Sequence, residues 1–268
     1  MMLYPISRRP PTTVEQLALK SRYTVGFCTI CGRWTALWWG TENFRESGVC
    51  RRCQSTNRHR QVAYVLCSAL TQKFGAPIRA LPDIARGRYG SNFAIYNTET
   101  SGPLHDQLRR LPNYVCSEYF GPDHAPGEIV NGIRHEDLQQ LSFADSSFDV
   151  ILSSDVFEHV PDPYAAFREV HRVLKPGGRH IFTVPFHQTE FRDDVRAVVE
   201  SGETKLLKDP IYHLDPLRPE GILVYTIFAL EMLVRLDDIG FRTHMHLLYA
   251  PWLGILGNNA LVFEAVKS

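Results

Sequence analysis

Two cysteine pairs, Cys28-x2-Cys31 and Cys50-x2-Cys53, are separated by eighteen residues, the spacing of a four-thiolate zinc site. The physical reason is reach. Two residues between cysteines let a tight turn aim both sulfurs at one ion, and two such turns complete a tetrahedron with Zn–S bonds of about 2.3 Å. Gly32 follows the first pair and supplies the positive φ that such a turn needs. Iron in the same ligand set and disulfides are the competing readings. A zinc site with no open position is structural and not catalytic. Cys67 and Cys116 stand alone in apolar surroundings and read as small buried hydrophobes.

Asp155, Glu158 and His159 fall at i, i+3 and i+4, so on a helix they would present two carboxylates and an imidazole on one face. His159, His187 and His213 are the residues to consider as a base for a nucleophile's proton; His187 follows Val184-Pro185-Phe186, and His213 lies in the proline-bearing stretch 209–216. Around the second cysteine pair, Arg45, Arg51, Arg52, Arg58 and Arg60 face the single acid Glu46, with Trp34, Trp38 and Trp39 between the pairs. Basic groups among aromatics suit RNA or another polyanion. The alternative is that the tryptophans fill a small core and the arginines are solvated or pair with a larger domain. Lys plus Arg and Asp plus Glu are each 29, so no global field favours nucleic acid, and the second reading is preferred.

These groups must be positioned by elements that the pattern makes visible. Asn57 can cap a helix through Val62, Val65, Leu66, Ala69 and Leu70 that ends at Gly75 and Pro77, and residues 76–91 read as a linker. Beyond Asn92, short apolar runs alternate with helical patterns, the signature of βαβ units around a parallel sheet. The clearest unit runs from a strand at 148–152, through a helix from Pro163 with Tyr164, Phe167, Val170 and Leu174 on one face, to a strand at 181–184. A second helix is expected over Tyr225, Phe228, Ala229, Met232, Leu233 and Leu236, ending at Gly240. The last two runs, 241–248 and 261–266, leave no room for a crossover helix, so that pair should be antiparallel. In an open sheet of this kind a cofactor lies across the carboxyl ends of the strands. The first strand, 93–96, leads into Asn97-Thr98-Glu99-Thr100-Ser101-Gly102, and Glu118 ends the second about twenty residues later, where a carboxylate can take ribose hydroxyls.

Three motifs carry a resemblance. Leu138-x2-Leu141-Ser142-Phe143-Ala144-Asp145-Ser146-Ser147-Phe148-Asp149-Val150-Ile151, then Glu158-His159-Val160-x-Asp162-Pro163, then Arg172-Val173-Leu174-Lys175-Pro176-Gly177-Gly178 resemble the central stretch of class I S-adenosylmethionine-dependent methyltransferases of the type 11 kind. The cysteine pairs followed by Asn57-Arg58-His59-Arg60 resemble bacterial-type methyltransferases with a cysteine-rich head. The resemblance implies Asp137 against the adenine amino group, Leu138 beside the ring, and Ser154 and Asp155 at the mouth of the fourth strand. It also implies a first loop with several glycines, whereas here only Gly102 remains. Two readings follow: a variant loop whose Glu99 and Ser101 contact the amino-acid moiety of the cofactor, or a site that has lost it. Asp155, Glu158 and His159 resemble the Glu-x-x-Glu-His segment by which some O-methyltransferases hold a divalent metal, and oxygen-rich ligands would suit Mg2+ or Mn2+. The competing reading is a helix-opening segment that binds no metal.

The expectation is therefore an α/β protein with a doubly wound, mostly parallel, seven-stranded Rossmann-like sheet and a small zinc-ribbon-like module. The division is 1–57 for the N-terminal arm and four-cysteine zinc module, 58–91 for a connecting helix and linker, and 92–268 for the methyltransferase domain. Its chemistry would be methyl transfer to an oxygen or nitrogen of a small-molecule or saccharide-type acceptor. A non-catalytic zinc-module adaptor on a degenerate scaffold is the alternative. The longest apolar stretch, 222–230, is well short of the roughly 20 residues of a membrane span. Residues 1–13 carry Arg8 and Arg9 before two prolines instead of an apolar signal segment, so the cytoplasm is the expected compartment.

Overall fold

An unbroken buried run from Phe148 to Ser154 marks the strand at the centre of the main sheet. A strand covered on both faces reads as continuous apolar sequence instead of alternation. The computed structural model describes residues 12–86, 93–215, 218–257 and 261–268. The expected arm at 1–11, residues 87–92 of the linker and the Pro216 end of the 209–216 stretch lie outside them.

In chain order, α1 (Thr13–Ser21) leads into β1 (Tyr23–Cys28), β2 (Arg33–Trp38) and β3 (Val49–Cys50), with a 3-10 turn at Phe44–Glu46; then come α2 (Asn57–Phe74) and α3 (Leu81–Arg86). Next are β4 (Ile95–Asn97), α4 (Gly102–Leu108), β5 (Tyr114–Cys116), β6 (Ile129–Val130), β7 (Ile133–Arg134), β8 (Phe148–Ser154), a 3-10 turn at Phe157–His159, α5 (Pro163–Val173) and β9 (Leu174–Thr183). An insertion follows with β10 (Asp194–Val195), β11 (Ala197–Glu200), β12 (Glu203–Leu206), β13 (Tyr212–Asp215), β14 (Arg218–Leu223) and β15 (Thr226–Ile227). The chain closes with α6 (Leu230–Ile239), β16 (Phe241–Leu247) and β17 (Leu261–Lys267).

The main sheet has six strands in the order β16-β17-β9-β8-β4-β5. The four strands from β5 to β9 are parallel, whereas β17 is antiparallel to both β9 and β16, as the short last connection requires. The expected seventh strand is reduced to one parallel bridge between Glu118 and His135. Its leading residues are taken up instead by the β6–β7 hairpin. The second expected helix starts five residues late: Thr226 and Ile227 pair with β10, and the Asp193 carboxylate accepts from the Ala229 N–H at 2.8 Å just before α6. Part of the expected linker is also ordered, since α3 buries Leu81 and Ile84 and Leu81 N donates to Thr29 O at 2.9 Å.

One face of the sheet carries α2, whose Val62, Val65, Leu66 and Ala69 share a core with Trp39, Leu37 and Ile30 of the cysteine module and with Ile95, Val150 and Ile181 of the sheet. The other face carries α5 and α6, packed through Phe167, Val170, Met232 and Leu236 on Ile151, Phe182 and Phe263. Burying those side chains is the main favourable term for each layer, at roughly 25 cal/mol per Å² of apolar surface. Thr56, not Asn57, caps α2: His59 Nδ1 accepts from Thr56 N at 3.1 Å in a capping box. Asn57 is buried instead, donating to Phe44 O and Leu256 O. Of the tryptophans only Trp39 fills the module's core. Trp38 and Trp34 stand opposite Tyr23 and Phe27 across the β1–β2 hairpin and are exposed.

Candidate functional site

The four cysteines converge. β1 ends at Cys28, β3 ends at Cys50, and the turns after them bring in Cys31 and Cys53. Cys28 Sγ lies 3.7 Å from Cys53 Sγ, and Cys31 Sγ lies 4.0 Å from Cys50 Sγ. A tetrahedron with bonds of about 2.3 Å has edges of about 3.8 Å, so the donor set fits a Zn2+ ion. The first turn has Gly32 at φ 66, as expected. Arg60, fully buried beside this cluster, donates to Ser55 O, Leu253 O and Gly254 O, which ties the module to the C-terminal segment.

A second site forms where β4, β5 and β8 end. Asn97 Oδ1 and Thr98 Oγ1, at the start of the glycine-poor loop, are buried with no hydrogen-bond partner among the described residues. Orphaned buried acceptors are uncommon unless a ligand meets them, so this loop fits a polar ligand. Glu99 is half-buried, and burial pushes its carboxyl up to about 7 against the pull of Arg58. Ser101 and Gly102 are exposed; Gly102 has φ 91 and open space where a side chain would project. Thr100 donates to Glu118 Oε2 at 3.1 Å, so the carboxylate after β5 faces this loop. Asp137 accepts from Gln139 N at 2.8 Å beside the buried Leu138.

Ser154 and Asp155 terminate β8, and the cysteine module reaches them. Arg45 Nη2 donates to Asp155 Oδ1 at 2.6 Å, and Arg58 Nη1 donates to Ser154 Oγ at 2.5 Å and stands 3.8 Å from Asp155 Oδ2. Thr183 Oγ1 donates to Asp155 Oδ1 at 2.9 Å. Burial would raise the Asp155 pKa, but the two guanidiniums outweigh it and hold the carboxyl well below its usual range. Glu46 braces both arginines, at 2.5 Å from Arg45 and 2.8 Å from Arg58. Of the basic group, Arg45 and Arg58 thus pair with the large domain while Arg51 and Arg52 remain exposed. Sequence spacing isolates these arginines but not their targets, 110 and 96 residues away.

Asp155 has φ 55 and precedes a 3-10 turn, so it does not share a helical face with Glu158 and His159. Its engagement by Arg45 and Thr183 agrees with the metal-free reading of the Asp155, Glu158 and His159 segment. The residues that do gather are Glu158, His159 and His213, with donor atoms within 4.8 Å of one another. Glu158 is fully buried and accepts no hydrogen bond among the described residues; its Oε1 lies 3.7 Å from His159 Nε2 and 3.3 Å from His213 Nδ1. Burial pushes Glu158 up to about 8 and His213 down to about 4. His159 Nδ1 donates to Leu223 O at 2.8 Å, and its Nε2 faces Glu158. His187 is half-buried, its backbone N donating to Phe228 O, and it does not join this group.

Residues 108–182, which hold Glu118, Asp137, Ser154 and Glu158, match the family described as Methyltransferase domain. The chain is similar to the ubiquinone biosynthesis O-methyltransferase of Ruegeria pomeroyi, at 46% identity over 92 residues that cover 30% of this chain and 36% of that protein. It is also similar to the arsenite methyltransferase of Aquipseudomonas alcaligenes, at 43% identity over 61 residues, 23% of this chain and 18% of that protein. The solved structure of an S-adenosylmethionine dependent methyltransferase from Mesorhizobium loti overlays with a TM-score of 0.42 at 19% identity, covering 69% of this chain and 96% of that one. The chain thus spans about a fifth and a third of the lengths of the two curated relatives. No helix among the described residues is long and apolar enough to cross a membrane.

Proposed function

We propose that the protein transfers a methyl group from S-adenosylmethionine to an oxygen or nitrogen of a small-molecule acceptor. The observation that carries this reading is the convergence of Glu118, the orphaned acceptors of Asn97 and Thr98, and the Asp155 turn at the carboxyl ends of adjacent parallel strands. In this reading Glu118 binds the ribose, Asp137 and Leu138 hold the adenine, and Glu99, Ser101, Gly102, Ser154 and Asp155 surround the amino-acid end. Residues 1–57 hold a structural Zn2+ through Cys28, Cys31, Cys50 and Cys53, residues 58–91 join it to the rest, and 92–268 carry the chemistry.

When bound, S-adenosylmethionine supplies an already activated methyl group, so no covalent nucleophile is required of the protein. The protein must align the acceptor, exclude water and take its proton. Glu158 is suited to the last task, because a carboxyl with a pKa near 8 is a far stronger base than an exposed one. His213 and His159 flank it, and His159 Nδ1 lies 2.8 Å from Leu223 O, which fixes that ring beside the carboxyl group. No Mg2+ or Mn2+ is needed for that step. No observation favours the adaptor reading.

Calorimetric titration of the zinc-loaded protein with S-adenosylhomocysteine tests the proposal. Micromolar binding, on the order of 8 kcal/mol, weakened by both Glu118→Ala and Asp137→Ala, supports it. A well-folded protein that binds nothing refutes it.

A further inference from the structure

The carboxyl ends of β4 and β8 hold a cluster of ionisable side chains assembled from distant parts of the chain. Arg45 comes from the 3-10 turn inside the cysteine module, and Arg58 from the first turn of α2, five residues after Cys53. Glu99 comes from the loop after β4 and Asp155 from the turn after β8. Both guanidiniums are largely shielded, at 17% and 15% side-chain exposure, as is Asp155 at 22%. Their charges therefore interact more strongly than on an open surface.

A left-handed conformation costs a non-glycine residue about 1 kcal/mol, yet Asp155 adopts it at φ 55, which aims its carboxylate at the arginines. Two guanidiniums beside two carboxyl groups are the chemical complement of an α-amino-acid zwitterion. The neighbouring loop shows why side chains would take this task. Thr98 and Thr100 stand where glycines would let a backbone approach a carboxylate closely, and Thr98 N already donates to Leu152 O at 3.0 Å. A guanidinium offers a planar fork that matches a carboxylate with two parallel bonds.

We infer that Arg58, seconded by Arg45, binds the α-carboxylate at the methionine end of S-adenosylmethionine, and that Glu99 and Asp155 receive its α-ammonium group. The inference rests on the methyltransferase reading and deepens it. Arg58 exchanges part of its interaction with Asp155 for the ligand carboxylate, and Asp155 exchanges part of its interaction with the arginines for the ammonium, so no charge is left unpaired. A consequence is that the cysteine module becomes part of the cofactor site, because Arg45 lies on its 3-10 turn five residues before Cys50 and Arg58 lies five residues after Cys53.

The test compares two ligands on the zinc-loaded full chain by calorimetry: S-adenosylhomocysteine, and its analogue with hydrogen in place of the α-carboxyl group. The wild type should prefer the first by about tenfold or more, the scale of a charge-assisted bidentate pair. In Arg58→Gln that preference should fall below about threefold through weaker binding of S-adenosylhomocysteine alone, with Arg58→Lys intermediate because it keeps the charge and loses the fork. Zinc content and melting temperature of each variant establish that it is folded, and the wild-type comparison of ligands needs no variant at all. A wild type indifferent to the carboxyl group, or an Arg58→Gln protein with undiminished preference, overturns this inference alone. Failure of the folded wild type to bind S-adenosylhomocysteine overturns the methyltransferase reading as well.

Discussion

Arg45 Nη2 and Asp155 Oδ1 meet at 2.6 Å across 110 residues of sequence, so the turn that follows β8 is held by the cysteine module and not only by its own sheet. Both partners are partly shielded, and removing one charge from such a pair leaves the other short of compensation. Asp155→Asn should therefore destabilise the protein by about 2 kcal/mol, below the cost for a fully buried pair because Glu46 still faces both arginines. The sign of the pH dependence follows from the depressed folded pKa. The contribution is fully present above the unfolded value of 3.8 and is lost as the pH falls below it towards the folded value. Urea unfolding of both proteins over that range reads the effect, and equal midpoints would show the pair to be without net worth.

Glu158 behaves in the opposite sense. Its carboxyl is raised from 4.5 to about 8 by burial, so between those values the folded state binds more protons than the unfolded one, and stability falls as the pH rises through the window. A neutral glutamine escapes that penalty. Glu158→Gln should match the wild type below pH 4.5, exceed it above pH 8 by about 1 kcal/mol or more in thermal unfolding, and lose roughly a hundredfold in turnover, the usual contribution of a general base. Wild-type turnover should climb with pH until the carboxyl has ionised near pH 8. A flat profile would exclude Glu158 as the base.

The histidines divide by position. His213 stands 3.3 Å from the Glu158 carboxylate with its ring edge-on to His159, whereas His187 is outside that group. His213→Ala should lower turnover by roughly tenfold or more while leaving S-adenosylhomocysteine affinity unchanged, and His187→Ala should change neither. Equal losses in both variants would point to a general disturbance of the insertion that follows β9.

How much of this was legible in the sequence depended on how local each feature is. The cysteine spacing, β8, α5 and the antiparallel β16–β17 pair are set by short-range pattern, and the structure has them close to where the residues suggest. Features fixed by distant partners were not legible. The helix expected from Tyr225 lost its first residues to strand pairing with β10, and the seventh strand was lost to the β6–β7 hairpin. Asp155, Glu158 and His159 share a helical spacing but not a helix, because Asp155 takes a left-handed turn towards Arg45. His213 entered the Glu158 group through the β13–β14 hairpin, which no local spacing announces.

The cysteine module shares its core with the sheet, and that sets what metal removal does. Cys28, Leu37 and Trp39 pack in the same cluster as α2 and as Ile95, Val150 and Ile181. With the proposed Zn2+ bound, the four crowded sulfurs beside the fully buried Arg60 would be thiolates, and loss of the ion would leave a cluster that must reprotonate and a buried guanidinium with a weakened counter-charge. Stripping the metal with a strong chelator should therefore do more than unravel the cysteine module. Hydrogen exchange should rise first in β1, β2 and the first turn of α2, and the melting temperature of the whole chain should drop by at least several degrees. Affinity for S-adenosylhomocysteine should fall in parallel, because Arg45 and Arg58 flank the second cysteine pair in sequence. Exchange confined to the module, with unchanged melting and ligand affinity, would show that the cysteine site and the strand-end site are energetically separate.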